Sequence, residues 1–313
     1  MSPDPVRDWL LAGDPAIRWQ TLRDLGHATP AAVRRERARV AREGWGARLL
    51  ALQDPEGLWG GGLYNPKWIS TTYTLLLLRS LGLAAGHPQA VRGATLLLER
   101  GFWRDGGINF FPRSYQHSET CISGMALAVL CWAGVDDPRV DSLAAHLIAR
   151  QMKDGGWNCR AMPGYAGATH GSFHTTITAL EALLEYDRFR PGRALDSREA
   201  QSRGREFLLV HRLFRSHRTG RIVKPEMLRF VFPPRWHYDV LRGLDHFQDA
   251  AAPRDPRLGE ATAVVERRRR DDGRWNANTG YRGKTFFDLE PAGQPSRWNT
   301  LRALRVLNWW SRQ

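Results

Sequence analysis

Apolar and polar positions fall into blocks along this chain of 313 residues. Stretches such as Thr74-Leu-Leu-Leu-Leu78 and Met125-Ala-Leu-Ala-Val-Leu130 are apolar nearly all round, the mark of helices buried on every side. Between them lie stretches with Arg and Glu on one face only, as over Ser197 to Arg205. No alternation of period two competes with the helical period. The pattern predicts twelve helices, near residues 4–12, 15–26, 31–52, 67–83, 88–101, 117–133, 138–151, 172–187, 197–214, 234–250, 256–270 and 296–311. The expected fold class is all-α. Because buried and amphipathic helices alternate, an inner ring within an outer ring is expected.

Punctuation supports these boundaries. Asp14-Pro15, His87-Pro88, Asp137-Pro138 and Asp255-Pro256 each open a helical stretch, with a capping residue followed by Pro at the first helical position. Asp196-Ser197 is expected to do the same without Pro. A second mark closes helices. It reads Gln53-Asp-Pro-Glu-Gly57-Leu-Trp59, returns as Asp105-Gly106-Gly107-Ile108, and again as Gln151-Met-Lys-Asp-Gly155-Gly-Trp157. Weaker copies are Thr219-Gly220-Arg221-Ile222 and Asp272-Gly273-Arg274-Trp275. Glycine in the left-handed conformation stops a helix. The bulky residue two positions later is expected to pack back as a wedge between repeats, a structural role for these Trp residues.

Gln53-x-x-x-Gly57-x-Trp59 and Gln151-x-x-x-Gly155-x-Trp157 resemble the QW motif of the squalene-cyclase and protein-prenyltransferase repeat family, and the similarity covers roughly residues 45 to 311. The resemblance implies a single α/α toroid over residues 1–313, about twelve helices in two concentric rings, with residues 1–44 completing the ring. It also implies an isoprenoid as the first substrate class, and cyclisation, isomerisation or prenyl transfer as the reaction. The departures are specific. The Asp-x-Asp-Asp acid motif of class II terpene cyclases is missing, and Asp136-Asp137 and Asp271-Asp272 lie in helix punctuation instead. Squalene cyclases carry two such domains and this chain has the length of one, so polycyclisation of squalene is not expected. The prenyltransferases hold zinc with Asp, Cys and His, which do not align one to one here.

Composition narrows the partners. The net charge of +14 invites a nucleic-acid reading, but only four of the 46 basic residues are Lys and the charge is spread along the chain. No zinc-finger spacing or basic–aromatic stripe is present, so a small-molecule substrate is expected and no nucleic acid. The odd number of cysteines, with no Cys-x-x-Cys, reads as a reduced, cytoplasmic chain. The N-terminus has no signal-peptide pattern. The longest apolar stretch, Cys121 to Val135, is shorter than the roughly 20 residues of a membrane span. Peripheral membrane contact stays open.

Long links lead from outer to inner helices, at 53–66, 102–116, 152–171, 215–233 and 271–295. They gather at one end with the inner-helix N-termini, whose free N–H groups favour anions, so the pocket is expected there. Stacking the inner-helix starts puts Ser70, Glu119, His174, His237 and Trp298 on one level, and Thr72, Cys121, Thr176, Asp239 and Thr300 two positions deeper. Glu119, His174, His237, Asp239 and His117 are the candidate catalytic acids and bases. Lys67, Arg113, Arg235 and Arg297 are candidate anion clamps, with His170 beside them. Trp68, Phe173, Trp236, Tyr238 and Trp298 are candidate walls of an apolar chamber, able to face a cation. A divalent metal, zinc, has Cys121, His170, His174 and Asp239 as candidate ligands, completed by Glu119 or His237. The alternatives to an isoprenoid enzyme are a zinc-dependent or sugar-acting toroid, or a binding toroid without catalysis.

Overall fold

The computed structural model describes residues 4–311 apart from residues 27, 162 and 194. Six helices form the inner ring: α2 (Pro15–Asp24), α5 (Thr71–Leu81), α7 (Thr120–Ala133), α9 (Phe173–Phe189), α11 (Val240–Asp249) and α13 (Arg297–Ser311). Each packs on the next, α5 on α7, α7 on α9, α9 on α11, α11 on α13 and α13 on α2. The circle closes where the Trp19 indole donates to the Leu81 carbonyl at 2.9 Å and Gln20 Nε2 to that of Ser80 at 3.2 Å. Outside lie α1 (Pro5–Leu11), α3 (Pro30–Ala38), α4 (Gly44–Leu50), α6 (Pro88–Gly101), α8 (Pro138–Ala149), α10 (Leu195–Val210) and α12 (Gly259–Arg267). The fold is an all-α toroid. Its β structure among the described residues is a short antiparallel pairing of Trp275–Asn276 with Pro295–Ser296 and a few isolated bridges.

Among the described residues thirteen α-helices replace the expected twelve because the stretch 31–52 is broken. Gly44 has φ +65°, and a Cβ there would sit 1.9 Å from Asp14 Oδ2. That carboxylate takes the Trp45 N–H at 2.8 Å while its other oxygen caps α2. The start of α11 moves from 234 to 240 because Pro233 and Pro234 precede it and Asp239 caps it. Asp137 and Asp255 accept N–H groups as expected, whereas His87 offers no side-chain cap and Asp196 lies inside the first turn of α10.

The wedges are as the repeats foretold. All five leading glycines have positive φ. Trp59, Trp157 and Trp275 are at most 1% exposed. Each indole donates to a carbonyl ten residues earlier, those of Leu49, Leu147 and Val265, at 2.7–2.8 Å. Their backbone N–H groups donate to Thr71, Thr176 and Thr300, all at 3.0 Å, and Ile108 donates to Ser123 at 2.9 Å. The glutamines tie repeats together: Gln151 Nε2 donates to Gly155 O and to Ala200 O of the next outer helix, and Gln53 does the same to Gly57 O and Gln89 O.

These bonds correct the stacking. The equivalent hydroxyls are Thr71, Ser123, Thr176 and Thr300, so the expected register holds in α9 and α13 and slips in α5 and α7. Cys121, rather than Glu119, shares the level of His174 and Trp298.

Candidate functional site

At the long-loop end the structure brings together many of the expected residues. Lys67 Nζ lies 5.2 Å from the Tyr64 ring and 5.7 Å from each of the Trp68 and Trp236 rings. The Arg235 guanidinium lies 5.7 Å from the Trp68 ring. His237 is stacked between Trp236 at 3.7 Å and Tyr281 at 3.6 Å, centroid to centroid. Tyr281 comes from the last long loop, pinned where the Trp68 indole donates to its carbonyl at 3.0 Å.

Beside this aromatic box lies Glu119. It is 5% exposed, it caps no helix N–H, and neither carboxyl oxygen has a hydrogen-bond partner. Burial raises its pKa, which favours the protonated form. Glu119, Cys121 and Cys159 bring their donor atoms within 4.8 Å of one another. Contact with Cys159, then burial, pushes the Cys121 thiol well up. Burial likewise raises the phenol of Tyr64. Tyr64 packs on Tyr73 at 5.3 Å, and Tyr73 against Trp68 at 4.8 Å. Cys159 escaped the sequence reading because no spacing rule links it to Cys121. Its one signal was its position two residues beyond a wedge Trp.

The other expected residues serve elsewhere. His174 Nδ1 accepts the Tyr238 N–H at 2.8 Å, so its proton sits on Nε2. Burial takes the pKa of His174 down to about 4 and that of His237 to about 3. Both are neutral near neutral pH, which suits them to accept a proton there rather than to donate one. Asp239 is fully buried and caps α11, accepting the Arg242 N–H at 2.8 Å. Arg113 and His117 are exposed. The half-exposed His170 meets Arg218 and Asp154, and it does not join His174 in a metal shell. Phe173 packs on Phe207 and Tyr238, and the Tyr238 hydroxyl donates to Leu213 O like a repeat wedge. Arg297 donates to Trp9 O, and Trp298 stacks on Phe232 at 4.0 Å.

The buried neutral histidines predict acid lability. The unfolded chain takes up a proton on His174 near its ordinary value of 6.5, while the folded one does so only near 4. The stability this group contributes is therefore present above pH 6.5 and lost as the pH falls through that window. In urea denaturation the advantage of the native protein over His174→Asn is expected to shrink by about 2 to 3 kcal/mol across it. A gap that ignores pH would refute a buried neutral His174.

The largest departure from expectation is the position of the cavities. One, of about 460 Å³, runs along the ring axis and is closed at the long-loop end by Phe232, Pro233, Pro234 and Arg235. Its exposed lining residues, Arg23, Arg188 and Asp249, sit in the last turns of α2, α9 and α11, so it opens at the opposite end. Its walls are charged. Arg242, 6% exposed, holds Glu181 at 2.7 and 2.8 Å, Arg79 holds Glu185 at 2.8 Å, and Asp245 meets Arg302 and Arg305. Many of the chain's arginines are consumed in such pairs rather than displayed as a basic face. A second hollow, of about 750 Å³, does lie among the long loops, where Ser118, Thr120, Asn158 and Arg160 flank Glu119 and Cys159 in sequence. Glu119, His174 and His237 line neither one.

No family model matches the chain, and no curated protein does. Solved structures similar to it include a protein from Actinoplanes, at 17% identity and TM-score 0.46, covering 95% of this chain and 89% of that one. Another is the type II terpene cyclase MstE from Scytonema in complex with geranylgeranyl dihydroxybenzoate, at 16% identity and TM-score 0.46, covering 95% and 86%. The toroid itself is established by the closed ring of helix contacts. No helix among the described residues is long and apolar enough to cross a membrane.

Proposed function

We propose that the chain is a toroid enzyme that protonates a partly apolar, isoprenoid-class small molecule, with Glu119 as the acid. The observation that carries this reading is the Glu119 carboxyl, buried, without a geometric hydrogen-bond partner at either oxygen, and shifted by burial toward its protonated form. A carboxylic acid in its protonated form delivers a proton to an alkene carbon, and the cation formed is stabilised over aromatic faces. Tyr64, Trp68, Tyr73 and Trp236 supply such faces. Lys67 suits an anionic head group. Transfer of the proton leaves Glu119 as a carboxylate, which then takes a proton back from the cation. The net reaction is a cyclisation or isomerisation.

Incubation of the purified protein with linear farnesyl and geranylgeranyl compounds, followed by mass spectrometry, tests this. A product of unchanged mass and altered retention is expected. Unaltered substrates throughout would remove the reading.

One observation favours a second reading. Glu119, Cys121 and Cys159 are three donors of the kinds that hold zinc, and three protein ligands leave a fourth position open for substrate. Zinc there would act as a Lewis acid, held by the two sulfurs as thiolates and by the carboxylate, and Glu119 would no longer be the acid. Elemental analysis decides between the two. One zinc per chain, lost in Cys159→Ser, supports the metal; a metal-free protein that turns over supports the acid.

A further inference from the structure

Glu119 does not line the axial lumen, whose charges point to a ligand of its own. Eight arginines and four carboxylates line it. The carboxylates are already engaged, Glu181 by Arg242, Glu185 by Arg79, Asp245 by Arg302, and Asp249 by Arg188. The cations are in surplus. Arg37 and Arg235 have no carboxylate within 4.0 Å among the described residues. Arg302 is 4% exposed and its Nη1 has no partner; His246, also 4% exposed, has none at either ring nitrogen. All four residues line the lumen. Buried polar groups without partners are rare in folded proteins, and an oxygen-rich ligand would satisfy these.

The opening at first opposes an anion, because helix C-termini are the negative ends of their dipoles. Arg37 offsets this at the rim, donating to Gly82 O at 2.8 Å at the end of α5. The deeper half is free of that field, which decays within a turn. We propose that the lumen binds a small polyanion bearing two or more phosphate or carboxylate groups, seated in its deeper half against Arg235 and Arg302 and entering from the face opposite the long loops. A volume of about 460 Å³ suits a molecule of that size. This site goes beyond the acid chemistry at Glu119 and stands without it.

Calorimetric titration of the full chain with inorganic pyrophosphate, and separately with citrate, tests the site and tells phosphate from carboxylate. One molecule per chain is expected to bind for at least one probe. Arg302→Gln and Arg235→Gln are each expected to weaken binding by about tenfold or more. Arg302→Gln also breaks the Asp245 pair and risks the fold, so Arg235→Gln, which breaks no ion pair, is the deciding variant. No heat with either probe overturns the proposal. Binding that Arg235→Gln leaves unchanged also overturns it, since the anion would then sit on the outer arginines. Glu119→Gln is expected to bind as the native chain does, which separates failure here from failure of the acid reading.

Discussion

Glu119→Gln is expected to lower turnover about a thousandfold, a loss of about 4 kcal/mol of transition-state stabilisation, while the melting temperature stays level or rises. The two readouts diverge for one reason. Glutamine keeps the volume and the amide polarity of the site but has no proton of the right acidity to give. Burial raises the pKa of Glu119, so in the native protein ionising this carboxyl is unfavourable relative to the unfolded chain. That penalty grows as pH rises through the window between the unfolded and folded values, and glutamine lacks it. The variant is therefore expected to gain on the native protein in alkaline buffer. For the same reason, native activity is expected to fall as pH rises through the raised pKa. Thermal melts and progress curves on the same preparations check both. A variant that melts early and keeps its turnover would show Glu119 to be a packing residue.

Trp157→Ala carries the largest expected loss of stability, about 3 to 5 kcal/mol. Trp157 is fully buried, and Gly204 of α10 lies so close that a Cβ there would fall 2.6 Å from the indole. Removing the ring leaves a cavity between two repeats and strands the Leu147 carbonyl that it satisfies. A loss of this size is a large part of the stability of an ordinary domain. Denaturation in urea measures it. A loss under about 1 kcal/mol would show that the wedge is replaceable by collapse of its neighbours.

The fold was legible because its grammar is local. A glycine that must turn left and a Trp that must return to its own helix are visible at short range. The register of the inner ring was less so. In α7 the bond that fixes it falls on Ser123, a residue that reads as one small polar position in an apolar helix. Glu119 was legible as an acid at the mouth; its neighbour Cys159 was not, because the two come within 4.8 Å only through the fold. The lumen was the least legible part. Arg302 and Arg305, three apart on α13, face inward onto Asp245, a pairing that no spacing in the sequence marks. Periodicity tells that a helix has a polar side, and only closure tells which way that side points.

The seam between α13 and α2 has a consequence for biosynthesis. The vessel is completed by contacts between α2 and the fifteen residues of α13. Until these emerge from the ribosome, the nascent chain is an open crescent, with the flank of α2 that will meet α13 bare. Exposure of this seam to chaperones thus lasts until α13 is made, when that helix turns a crescent into a container.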